Sequence, residues 1–106
     1  MSENDYTCDS GAEPDDYPDD NEILADIIGD FSRVLTQKLV SNGRGLSYLE
    51  SEPSWLLMRL QQEVLELAYA IDCEPLYRQA QEQECLDVAA FAMMLWHRLK
   101  QERGER

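Results

Sequence analysis

Two short stretches set acids three residues apart inside apolar runs: Glu63 and Glu66 in LQQEVLELAYAI, and Glu84 and Asp87 in ECLDVAAFAMML. On an ideal helix, residues at i and i+3 stand about 60° apart around the axis, so each pair shares a face. Arg59 and Ala70 fall on the face of Glu63 and Glu66, whereas Leu60, Val64, Leu67 and Ile71 are offset from it. In the second stretch Glu84, Asp87 and Phe91 line one side, with Val88 and Leu95 beside them. Packing these two faces together makes four carboxylates converge. At a separation of roughly 4 Å each like-charge pair costs on the order of 4 kcal/mol at an effective dielectric of 20. Protonation, the Arg59 guanidinium or a divalent cation can each offset that cost. Hard oxygen donors without histidine or thiolate suit magnesium or manganese, and magnesium completes its shell with waters and substrate phosphates. The spacing therefore points towards phosphate chemistry. The competing possibility is that all four acids lie on solvated helix faces and need no partner.

The elements that must position these acids are helices. Ile23, Ile27, Ile28, Phe31, Val34, Leu35 and Leu39 recur at three- and four-residue steps from Glu22 onward, and SNGRG at 41–45 stops the pattern. LSYLESE at 46–52 is a connector. A second helix is expected over about 53–72, with Pro53 where a first helical turn accepts it. Pro75 breaks it, and a third helix is expected over 79–101. No strand signal competes, so the expected fold class is all-α. About 84 foldable residues bury little surface, and the second and third helices are apolar over more than one stripe. A helical bundle completed by a second copy of the chain, at least a dimer, covers the excess.

Charge is distributed unevenly. Residues 1–22 carry nine acids and no base, together with Gly11, Pro14 and Pro18. That segment is expected to be a disordered acidic tail preceding a helical domain over 23–106. The whole chain has a formal charge of -13, of which the domain retains -4. A balance without a basic patch argues against nucleic acid as a partner. Cys8, Cys73 and Cys85 are odd in number and lack the paired spacing of a zinc site, so they read as free thiols in a reducing compartment. The first twenty residues have neither the basic start nor the apolar stretch of a signal peptide, and the apolar runs are too short and too charged to span a bilayer. The expected location is cytoplasmic, with no membrane association.

In their order along the chain, KLVSNGRG at 38–45, SWLLMRLQQEVLELAYAI at 54–71 and DVAAFAMML at 87–95 resemble the MazG-like all-α nucleoside triphosphate pyrophosphohydrolases. The signature of that group is E-x-x-E, a spacer, then E-x-x-D, matched here by EVLE at 63–66, seventeen residues, and ECLD at 84–87. The resemblance runs from about Phe31 to Leu99. Two positions depart from it: Gly43-Arg44 stands where members often carry His-Lys, and Ala90 where they often carry Asn. The resemblance implies a Mg2+-dependent cleavage, with Mn2+ as the alternative ion, of a nucleoside triphosphate between its α and β phosphates. Monophosphate and pyrophosphate are released. It also implies that Glu63, Glu66, Glu84 and Asp87 are the metal ligands, and Glu66 is our choice among them for a general base. Lys38 and Arg44 occupy the matching segment and are candidates for phosphate contacts.

Other residues have plainer expectations. Arg59 is placed to hold Glu63 one turn away rather than a phosphate. Trp55 and Tyr48 could stack on a base, although an aromatic residue at a helix start usually belongs to a core. Phe91, Met93, Met94 and Trp96 read as core or dimer surface, and His97 as a surface residue near a helix C-terminus. A non-catalytic helical interaction protein, built on a degenerate scaffold of the same kind, is the competing functional reading.

Overall fold

A computed structural model of the chain describes residues 19–73 and 76–104. They form three α-helices, α1 (Asp20–Asn42), α2 (Pro53–Cys73) and α3 (Arg78–Glu102), with a single 3-10 turn at Ser47–Glu50. The described residues include no strand. The all-α expectation is met, and the bounds of α2 and α3 fall within a residue of those read from Pro53 and Pro75. The acidic tail expected over 1–22 lies outside the described residues as far as residue 18.

Helix α1 begins two residues before the start of its apolar pattern, because Asp19 and Glu22 cap each other. The Glu22 amide donates to Asp19 Oδ1 at 2.8 Å, and the Asp19 amide donates to Glu22 Oε1 at 3.0 Å. This reciprocal capping box satisfies two of the orphan donors of a helix start. The chain divides into two compact units, Met1–Arg33 and Val34–Arg106. Within the described part of the first, Ile23, Leu24, Ile27, Ile28 and Phe31 are all exposed. The apolar stripe that makes α1 amphipathic is therefore uncovered there.

The second unit is organised around α2 and α3. Arg59 of α2 lies against Phe91 of α3, while Gln81, near the start of α3, donates to the Ala70 carbonyl near the end of α2 at 3.0 Å. The two helices are therefore antiparallel neighbours, as a short connection requires. Their seam holds Leu56 (0% exposed), Ala70, Leu86 and Ala90, and it also holds two polar side chains, Glu63 and Gln81. On α2 the buried positions Leu56, Glu63 and Ala70 repeat every seven residues, which keeps them on one stripe. Glu63 occupies the middle of that stripe. The second apolar face of α2 is uncovered, with Val64 and Ile71 exposed. Trp96, expected in a core or dimer surface, is 59% exposed and carries Lys100 Nζ 4.6 Å above its ring.

Between α1 and the 3-10 turn, Gly43 and Gly45 have φ of 71° and 57°, in the left-handed region that favours glycine. Gly43 closes α1 through its amide to the Val40 carbonyl at 3.1 Å. Arg44 lies between them, and its carbonyl accepts the Ser47 amide at 3.2 Å. No helix of the described residues is long and apolar enough to cross a membrane.

Candidate functional site

The antiparallel pairing of α2 and α3 brings Glu63 opposite Glu84 and Asp87. One carboxylate oxygen from each lies within 4.8 Å of the others. Glu63 is buried by the facing helix, and Glu84 and Asp87 are half-buried. Glu66, one turn further along α2, is exposed and outside this group of three. Its charge still reaches the cluster, adding to the upward push on both Glu63 and Glu84.

The electrostatics follow from that crowding. Burial raises the Glu63 pKa above the ordinary carboxylate value, and Glu66 and Asp87 raise it further, while Arg59 pulls it back. Glu84 is raised in the same way, first by burial and then by Asp87, Glu66 and Glu63, with Lys38 opposing. Two cations answer part of this charge. Arg59 donates to Glu63 at 2.9 Å and to Gln62, with its guanidinium 4.8 Å from the centre of the Phe91 ring. The expected salt bridge across one turn of α2 is therefore present, and Phe91 holds its guanidinium in place. Lys38 reaches from α1 to Asp87 Oδ1 at 2.7 Å and also donates to Gln83, at 3.0 Å to Oε1 and 3.3 Å to the carbonyl.

Glu84 has no such partner. Its Oε1 is a buried oxygen that accepts no hydrogen bond from the described residues. A buried carboxylate oxygen without a donor is expensive when ionised; protonation removes that cost, and so would a hard cation held jointly by this oxygen and the two other carboxylates. The donor set fits a hard divalent cation.

Beside the cluster lies a cavity of about 520 Å³, lined by Lys38, Asn42, Arg44, Tyr48, Asp87 and Ala90, and otherwise by apolar side chains including Phe91 and Met94. Its volume lies in the range of sites for ligands of nucleotide size. Lys38 and Arg44, singled out in sequence as candidate phosphate contacts, both face it. Trp55, the other stacking candidate, is not among its lining residues. Ala90 is buried in its wall and supplies no amide there.

Three features of the site were not read from sequence. The Lys38–Gln83 and Lys38–Asp87 contacts join residues 45 and 49 positions apart, which no local spacing announces. The Phe91–Arg59 stack needed the register of α2 on α3. His97, expected at the surface, is half-buried, and its Nδ1 shares a hydrogen bond with the Tyr48 hydroxyl. Comparison of the chain with family profiles, with curated proteins and with solved structures finds no match.

Proposed function

We propose that the chain is a divalent-cation-dependent nucleoside triphosphate pyrophosphohydrolase of the MazG-like kind, converting a ribo- or deoxyribonucleoside triphosphate and water to the monophosphate and pyrophosphate. The observation that carries this reading is the meeting of Glu63, Glu84 and Asp87 across two helices, with one buried oxygen of Glu84 lacking a donor among the described residues, at the edge of a cavity that also holds two basic side chains. Glu63, Glu84 and Asp87 would hold Mg2+, or Mn2+, with Glu66 at the rim. When bound, such an ion offsets phosphate charge and acidifies a coordinated water.

The chain's own residues divide the remaining work. Arg59, fixed by Phe91, favours the ionised form of Glu63 against burial and holds its carboxylate in the seam. Lys38 and Arg44 supply positive charge to the triphosphate, because phosphoryl transfer depends on positioning and on charge stabilisation. Glu66, exposed beside the cluster, is free to accept a proton from water as general base. The uncovered apolar faces of α1 and α2 favour a homo-oligomer of at least two copies.

Incubation of the pure protein with Mg2+ and a panel of ribo- and deoxyribonucleoside triphosphates tests the reading directly. Release of pyrophosphate and monophosphate in equal amounts, abolished by chelator, is expected. Absence of release across the panel, with either Mg2+ or Mn2+, overturns it. The second reading, a non-catalytic interaction protein, draws on the exposed apolar stripe of α1 and on the missing amide at Ala90. It predicts a folded protein that is inert towards every triphosphate.

A further inference from the structure

His97 is the only histidine of the chain and has no part in the phosphate chemistry proposed above. It is nonetheless engaged. Its ring lies 5.8 Å from that of Tyr48, centre to centre and inclined by 59°, with the Tyr48 hydroxyl and His97 Nδ1 sharing a hydrogen bond of 2.5 Å. The next residue, Arg98, donates from Nε to the Ser51 carbonyl at 3.0 Å and pairs with Glu102 at 2.8 Å. Two consecutive α3 residues thus grip the 3-10 turn Ser47–Glu50, one through a side chain inside it and one at the carbonyl just beyond it.

The turn needs that grip. It is four residues long and has no side-chain cap at its start, and so short a 3-10 segment has little stability of its own. Tyr48 is the one residue of the turn that lines the cavity. Burial raises the pKa of its phenol, which keeps the hydroxyl neutral. The cavity has a second aromatic residue, Phe91, but a face of that ring is already taken by the Arg59 guanidinium. A nucleoside triphosphate entering the cavity puts its phosphates near Lys38, Arg44 and the acidic cluster. Its base then needs an apolar or aromatic surface, and Tyr48 offers an aromatic ring on which none of the described residues places a cation.

We infer that Tyr48 forms the wall against which the nucleoside rests, and that His97 is a positioning residue that holds the Tyr48 ring in place from α3, so that this pair governs affinity for the nucleoside rather than the rate of phosphate cleavage. The inference rests on the proposed pyrophosphohydrolase reading.

Steady-state kinetics of the full chain with Mg2+ and its best nucleoside triphosphate test it, using Tyr48→Phe, His97→Leu, the double variant and His97→Asn. Loss of one neutral hydrogen bond corresponds to roughly a two- to tenfold change. KM is expected to rise by that factor in Tyr48→Phe and in His97→Leu, with kcat within about twofold of the parent. The double variant should be no worse than either single change, because both delete the same bond. His97→Asn places an amide oxygen near the position of Nδ1 and should restore KM. A purely structural role would lower the melting temperature and kcat and leave KM alone. Unchanged KM in both single variants, additive effects in the double variant, or a loss confined to kcat each overturns the inference. Should His97→Leu fail to fold, Tyr48→Phe removes only a hydroxyl and carries the same expectation. A parent protein that releases no pyrophosphate overturns the functional reading and this inference together, and it is recognised before any variant is measured.

Discussion

The first half of α1 and the seam between α2 and α3 are built from the same kinds of residue and end in opposite environments. In α1, Asp26 and Asp30 are interleaved with Ile23, Ile27 and Phe31, and acids and apolar side chains alike are exposed, with Ile27 at 59%. In the seam, Glu63 shares a stripe with Leu56 and is 6% exposed. An acid one turn from another, as Asp26 is from Asp30, is inexpensive where water surrounds both. It is costly where a second helix excludes the water. The seam acids differ from those of α1 in their covering rather than in their spacing.

The largest expected effect follows from removing one of the covered acids. Loss of an outer-shell partner of a metal typically costs about 10- to 100-fold, so Glu63→Gln, which removes one of the proposed ligands, should lower the proposed Mg2+-dependent turnover by on the order of 100-fold or more. The same change applied to Asp87 as Asn should act likewise. Circular dichroism should show both variants folded, since a neutral amide relieves like charge in the seam. Wild-type turnover in both variants would remove the distinction between the two regions.

The uncovered stripe of α1 gives the next effect. Ile27→Glu places a charge among Ile23, Ile28 and Phe31, and an oligomer that buries this stripe should dissociate or form only at much higher concentration. Light scattering at micromolar concentration reads this directly. A wild-type chain that is already a folded monomer would show that the stripe is simply left in water, and that the two regions differ for a reason other than a missing partner copy.

Much of this contrast was legible in the sequence, and its limits have physical causes. Pro53 and Pro75 punctuate the chain strongly, so α2 and α3 were bounded to within a residue. The meeting of Glu63 with Glu84 and Asp87 follows from two i, i+3 pairs once the helices are antiparallel. The behaviour of Glu66 does not. A seam one stripe wide buries every seventh residue, and a 60° rotation is enough to leave Glu66 in solvent. The Asp19–Glu22 capping box is written locally in DDNE, ahead of the first residue of the apolar pattern that marks α1. The Tyr48–His97 bond depends on how the connector folds back on α3, which periodicity does not encode.

A pH series sharpens the comparison with a smaller effect. Glu63 and Glu84 have folded-state pKa values raised mainly by burial, so the folded chain binds more protons than the unfolded chain over the window above the ordinary glutamate value of about 4.3. Stability of the metal-free protein is then greatest below that window and declines as pH rises through the folded-state values. The Glu63→Gln, Glu84→Gln double variant should lose this decline. Melting temperatures of parent and variant between pH 4 and 8, without metal, measure the difference. With Mg2+ present the parent's trend should weaken or reverse, because ligation requires ionised carboxylates. Parallel curves for parent and variant would mean that burial of the two acids has no thermodynamic consequence.

The smallest effect concerns Lys38, which belongs to the last turns of α1 and behaves unlike the acids and apolar groups of its first half. Its ammonium sits 2.7 Å from Asp87 and is also held by Gln83, so it partly neutralises the cluster that a cation would occupy. Both groups of this pair are partly solvated, at 22% and 33% exposure, which limits the strength of the bond to that of a partly exposed ion pair, about 0.5–1 kcal/mol. Replacing Lys38 by Met removes the competitor for Asp87 and should therefore tighten binding of Mn2+ by about two- to fivefold, read by calorimetry in the absence of nucleotide. The same change removes a positive charge from the cavity, so affinity for the triphosphate should fall. These opposite signs in one variant separate Lys38 from a simple structural tether, whose loss would weaken both ligands through a looser seam. A variant that binds Mn2+ less tightly than the parent would place Lys38 among the supports of the site rather than among its exchangeable charges.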